Sequence, residues 1–134
     1  MYKNILVPID LSHPEQGHKI LLLARTIGGP DARLTALFVA GEVPSFVAAE
    51  LPEHLLDENR ANAAADLKAL ADAVGAATEV RTGHASTVIL EEANKLEADL
   101  IVVASHRPGL EDYFLGSTAA RVVRHSDCAV LVDR

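Results

Sequence analysis

Apolar residues along this chain fall into two kinds of run that take turns. Short apolar runs, rich in branched side chains, centre on Ile5-Leu6-Val7, on residues 33–39 (RLTALFV), on 100–104 (LIVVA) and on 128–132, and 78–82 (TEVRT) reads as a short further strand. Runs of that length without helical period predict strands buried on both faces, as in a parallel sheet. Between them lie longer stretches with apolar positions three and four apart. Ile20, Leu21, Ala24 and Ile27 predict the inner face of a helix that starts after Ser12 and is stopped by Gly28-Gly29-Pro30. Ser12 and Glu15 have the spacing of a capping box at its start. Ala63, Leu67, Leu70 and Val74 mark a second helix over 53–74, which Gly75 ends. Ile89, Ala93 and Leu96 mark a third over 86–96, after a turn at Gly83-His84, and Ala119, Val122 and Val123 a fourth that ends near Arg124-His125. Residues 41–52 carry two prolines and no period, and are expected to form a loop. Its apolar members Val43, Phe46, Val47 and Leu51 would cover core, ligand or a partner subunit.

Strand and helix therefore alternate almost without exception. That pattern predicts a three-layer α/β/α sandwich around a five-stranded parallel sheet, formed as one domain over residues 1–134. Ligands of open α/β sheets bind outside the carboxyl ends of the strands, which places Asp10, at the end of the first strand, on the ligand side.

The chemistry concentrates in residues 100–124. The strand 100–104 runs into Ser105-His106-Arg107-Pro108-Gly109, then into Gly116-Ser117-Thr118 at the start of a helix. A helix start has free backbone N–H groups and a partial positive charge, so it attracts anions. Gly116 would let backbone approach a phosphate, Ser117 and Thr118 add hydroxyls, and Arg107 adds a forked cation suited to phosphate. The stretch reads as a phosphate-binding loop. The plainer reading of Gly116-Ser117 is a serine N-cap after a flexible glycine. Arg107 is otherwise a solvated cation and His106 a capping histidine. Glu111 and Asp112 near phosphates must point outward or share a divalent ion. Cys128 reads as a packing residue.

Composition narrows the class. A chain of 134 residues with 49% apolar and 23% charged residues suits a globular domain with a proper core, and with 4% aromatics that core is aliphatic. A net charge of −7 argues against a nucleic-acid partner and does not favour an anionic membrane surface. No apolar run reaches membrane-spanning length, so no membrane insertion is expected. One cysteine and no signal-peptide pattern predict a cytoplasmic protein. No metal-ligand spacing, serine-hydrolase elbow, P-loop or dinucleotide fingerprint is present.

The same residues resemble the universal stress protein family. Its pattern Gly-x2-Gly-x9-Gly-(Ser/Thr) follows the fourth strand and cradles the phosphates of ATP. Here it reads Ala104-Ser105-His106-Arg107-Pro108-Gly109, then Leu115-Gly116-Ser117. The final Gly-Ser is intact, Ala104 replaces the first glycine, and the second is deleted. This Ser-His-Arg-Pro form resembles a subgroup thought to keep nucleotide binding. The likeness extends over 4–12 at one end of the chain and 122–132 at the other. It implies the strand order 3-2-1-4-5 of adenine nucleotide alpha hydrolase-like folds. It also implies a site for ATP, with or without Mg, at Pro8, Ile9, Asp10, Val39, Ala104, Ser105, His106, Arg107, Gly109, Gly116, Ser117 and Thr118. Asp10 would lie beside the adenosine and Val39 against the adenine. Related chains pair their last strands antiparallel, which implies a homodimer through residues 128–133, with a tetramer as a higher assembly. The implied function is an ATP-binding stress-response regulator that hydrolyses ATP slowly or not at all and is read by a regulatory protein partner. Two alternatives stay open: a nucleotide-free dimeric interaction module, and a nucleotide-transferring enzyme.

Overall fold

The computed structural model describes residues 1–41, 44–105 and 115–134. Five strands, β1 (Asn4–Pro8), β2 (Arg33–Ala40), β3 (Ala77–Thr82), β4 (Leu100–Ala104) and β5 (Ala129–Asp133), form one parallel sheet in the order β3-β2-β1-β4-β5. The helices are α1 (Pro14–Gly28), α2 (Ser45–Ala48), α3 (Glu53–Asp72), α4 (Ala85–Lys95) and α5 (Ser117–His125). β1 is the central strand, and Ile5, Leu6 and Val7 are fully buried because helices cover both of its faces. Side chains alternate across a strand, so the sheet feeds two cores. Ile5, Val7, Leu34, Ala36, Leu100 and Val102 meet Ile20, Leu21 and Ala24 of α1 and Leu67 and Ala71 of α3. Leu6, Leu37, Ile101 and Val103 meet Val88, Ile89 and Ala93 of α4 and Ala119 and Val122 of α5. The three-layer sandwich and strand order expected above are thus both observed. Among the described residues no helix is long and apolar enough to cross a membrane.

Two local expectations are corrected, and one buried charge was not foreseen. Ser12 does not cap α1: the N-cap is His13, with no side-chain cap bond, and Pro14 opens the helix. Ser12 instead donates its backbone N–H (3.0 Å) and its hydroxyl to Asp10 Oδ1, a local turn that outcompetes the capping box. The stretch 41–52 contains the short helix α2, on which Phe46 stays 74% exposed rather than covering the core. The apolar face of α4 carries a charge: Glu92, one turn after Ile89, is 1% exposed. Arg81 Nη1 of β3 donates to Glu92 Oε1 at 2.9 Å, while Glu92 Oε2 has no hydrogen-bond partner among the described residues. Chiefly that bond, with Glu91 adding to it, raises the Arg81 pKa above its ordinary value against the cost of desolvation.

At the end of the sheet where β1 and β4 begin, Asp99 accepts from the backbone N–H of Lys3 (2.8 Å) and Asn4 (3.0 Å). Asn4 Nδ2 donates to the carbonyls of Leu96 and Glu97, holding the turn after α4. Glu97 sits there at φ 54, a left-handed conformation in which helices usually place glycine.

Candidate functional site

At its other end the sheet opens. β1 connects to β2 on one side while β4 lies on the other, so the carboxyl ends of β1 and β4 flank a topological switch point. A crevice of about 270 Å³ lies there. Its floor and walls are mostly apolar: Pro8, Leu37, Val39, Ile89, Val103 and Ala119. Pro8 and Asp10 follow directly from β1, and the Asp10 carboxylate is held by Ser12. Ile9 lines the crevice too, but its side chain belongs to the α1/α3 core and its N–H donates to Leu37 O at 2.8 Å.

The other wall is the junction of β4 and α5. Ala104 ends β4 and stands exposed on the crevice. Ser105 is buried; its N–H donates to Asp133 O of β5 (2.9 Å), and its Oγ accepts from the N–H of Gly116 (2.9 Å). The Ser105 hydroxyl thus ties the strand end to the helix start and keeps its own proton to donate. Gly116 is the N-cap of α5, which moves the cap one residue ahead of the serine expected to supply it. At φ −60 and ψ 150 its backbone suits any residue. What the glycine supplies is room: a Cβ there would lie 3.8 Å from Ser105 Oγ and 3.9 Å from Ser105 O. Ala120 N–H is the first in α5 to find a helical acceptor, the carbonyl of Gly116 (2.8 Å), so the N–H groups of Ser117, Thr118 and Ala119 face outward at the helix start.

Thr118, Val39 and Ala85 also line a second, more open chamber of about 520 Å³. Gly41, Gly83, His84, Ser86, Ser117 and Arg121 complete its described lining. The structure thus brings Pro8, Ile9, Asp10, Val39, Ala104, Ser105, Gly116 and Thr118 to one crevice and sets Ser117 beside it. His106, Arg107 and Gly109, with Glu111 and Asp112, lie outside the described residues. Sequence reasoning missed Gln16 of α1, Ala85 and Ile89 of α4, and the chamber residues His84, Ser86 and Arg121. The alternation of strands and helices carried one available signal: Gly83-His84, like Gly116-Ser117, follows a strand and starts a helix, so both belong on the ligand side.

The whole chain, residues 1–134, matches the model of the universal stress protein family, and it belongs to that family. It is 31% identical over 142 residues to universal stress protein G of Salmonella typhimurium, the match covering 100% of both chains. A universal stress protein of Methanocaldococcus jannaschii is 34% identical over 143 residues, covering 98% of this chain and 82% of that one. Among solved structures, universal stress protein UspA of Lactobacillus plantarum superposes with a TM-score of 0.79 at 30% identity, over 99% of this chain and 98% of that one. A universal stress protein in complex with cAMP gives a TM-score of 0.61 at 24% identity, covering 99% and 97%. The universal stress protein of Archaeoglobus fulgidus in complex with dAMP gives 0.60 at 17%, covering 99% and 98%. The fold is that of the adenine nucleotide alpha hydrolase-like proteins.

Proposed function

We propose that this chain binds an adenine nucleotide, ATP, in the crevice between β1 and β4 and acts as a nucleotide-occupied regulator in the stress response. The crevice itself carries the reading. Its apolar walls suit a flat base, the Asp10 carboxylate at one end suits the hydroxyls of a ribose, and at the other end a bare glycine and a helix start suit a phosphate. Two family structures that hold cAMP and dAMP support the choice of an adenine ligand. Pro8, Ile9, Val39, Ala104, Ser105, Ser117 and Thr118 are assigned to the same site, as are His106, Arg107 and Gly109 of the Ser-His-Arg-Pro form. Where Mg takes part, it would accompany the phosphates of the ATP. Slow or absent hydrolysis of the bound ATP belongs to the same proposal.

The regulator would work in the cytoplasm as a homodimer. β5 is an edge strand whose row Val130-Leu131-Val132 is only half-buried, and an apolar open edge favours pairing with a second copy. That edge also supports the second reading, an interaction module that needs no nucleotide.

Calorimetric titration with ATP and GTP tests the first reading. ATP should bind and GTP bind more weakly, and Asp10→Asn should weaken ATP about tenfold at an unchanged melting temperature. Absence of heat with either nucleotide, on protein first stripped of any co-purified nucleotide, would leave the interaction module as the function.

A further inference from the structure

The geometry points to a distal-phosphate subsite in the chamber beside the crevice, where Arg121 and His84 take the outer phosphate of a nucleoside polyphosphate. The inference rests on the nucleotide reading and adds which part of the ligand α4 and the second turn of α5 would hold. The two spaces meet at Val39, Ala85 and Thr118, so one ligand can extend from the first into the second. Their charges differ. The crevice carries the Asp10 carboxylate, whereas no Asp or Glu occurs among the described lining of the chamber, in a chain of net charge −7. Arg121 lies one turn after Ser117 on the same side of α5 and makes no ion pair or hydrogen bond among the described residues. A guanidinium without an anion, in a chamber without an acid, lacks the partner its five donors call for.

The second side chain is held in place. Ser86 is 1% exposed, and its Oγ meets His84 Nδ1 at 3.1 Å. With Ser86 donating to Nδ1, the ring proton sits on Nε2, the nitrogen that remains for a ligand; a protonated ring donates from both. His84 is the N-cap of α4 and Arg121 lies on α5, so the two would approach an anion from different elements. The crevice, at about 270 Å³, lies just below the usual range of ligand pockets, so a nucleoside with its first phosphate would occupy it. A second or third phosphate therefore has the chamber to enter. The subsite separates nucleoside di- and triphosphates from monophosphates.

Calorimetry with ATP, AMP and inorganic tripolyphosphate, on the full chain and its Arg121→Ala variant, tests this. Arg121 is exposed, so the variant folds, and a melting curve checks it. The expected result is a loss of about 10- to 100-fold for ATP and under about twofold for AMP, since only the outer phosphate loses a charge-assisted contact. Arg121→Lys should fall between, and His84→Ala should weaken ATP in the same selective way. Equal losses for ATP and AMP, or an unchanged ATP affinity, would overturn the subsite. If neither nucleotide binds the unmodified protein, the nucleotide reading fails separately, and tripolyphosphate decides: binding that disappears in Arg121→Ala upholds the anion subsite, and no binding overturns it.

Discussion

Replacing Gly116 by valine should remove nucleotide binding while leaving the fold intact, and the structure says why the two effects separate. The residue sits at φ −60 and ψ 150, a backbone region that valine occupies readily. Among the described residues, a Cβ there would come no nearer than 3.8 Å, to Ser105 Oγ, which is ordinary contact rather than a clash. The folding cost is therefore limited to the cap. Valine is a poorer N-cap than glycine, by about 1 kcal/mol at most, which lowers the melting temperature by roughly 3–6 °C in a chain of this size. The added methyl groups instead enter the crevice, at the point where the proposed phosphate must approach the start of α5. Steric exclusion there should weaken ATP by at least about 100-fold, or about 2.7 kcal/mol. Gly116→Ala, with one carbon, should cost about tenfold on the same scale. Thermal melts followed by circular dichroism measure the first effect, and calorimetric titration with ATP the second. An ATP affinity within about threefold of the unmodified protein, in a folded Gly116→Val variant, would refute the placement of phosphate at this helix start.

Other regions of the molecule make independent predictions. Glu92→Met removes a buried carboxylate with one unpartnered oxygen and should raise stability by about 1 kcal/mol in urea unfolding. Arg81→Met, which leaves that carboxylate buried without its main partner, should lower stability; equal signs for the two variants would contradict the assignment. Glu97→Gly should stabilise the protein by about 1 kcal/mol by relieving a left-handed backbone, and a destabilised variant would show that the side chain matters more than φ. The protein should sediment at twice its chain mass of 14.3 kDa, and Val130→Asp should shift it towards monomer by placing a charge at the paired edge. Sedimentation of the unmodified protein at the single-chain mass would refute the dimer.

Much of the fold was legible because parallel sheets leave a plain trace. Strands such as Leu100–Ala104 are buried on both faces and read as unbroken apolar runs. The helices between them show a 3.6-residue period, as Ile20, Leu21 and Ala24 do on α1. Strand order was not legible from periodicity, since any order buries the same side chains; it came from the family likeness. Local competition was harder to read. Ser12 could cap a helix or bond Asp10, and only the path of the chain after β1 selects the second. The burial of Glu92 was not legible because it depends on Arg81, eleven residues away on another element. At the site, Asp10 and Gly116 stood out because each is a polar or turn residue at the end of an apolar strand or the start of a helix. Gln16 and Arg121 lie in ordinary helical contexts, and only the packing of α1 and α5 around the strand ends brings them near.

The measurement that bears most directly on the proposed role is the content of the purified protein itself. The chain is purified without added nucleotide and denatured, and the released small molecules are separated by anion exchange against nucleotide standards. About one ATP per chain is predicted. No released nucleotide, followed by no heat on titration with Mg-ATP, would contradict nucleotide binding and leave the dimer surface as the working part of the molecule.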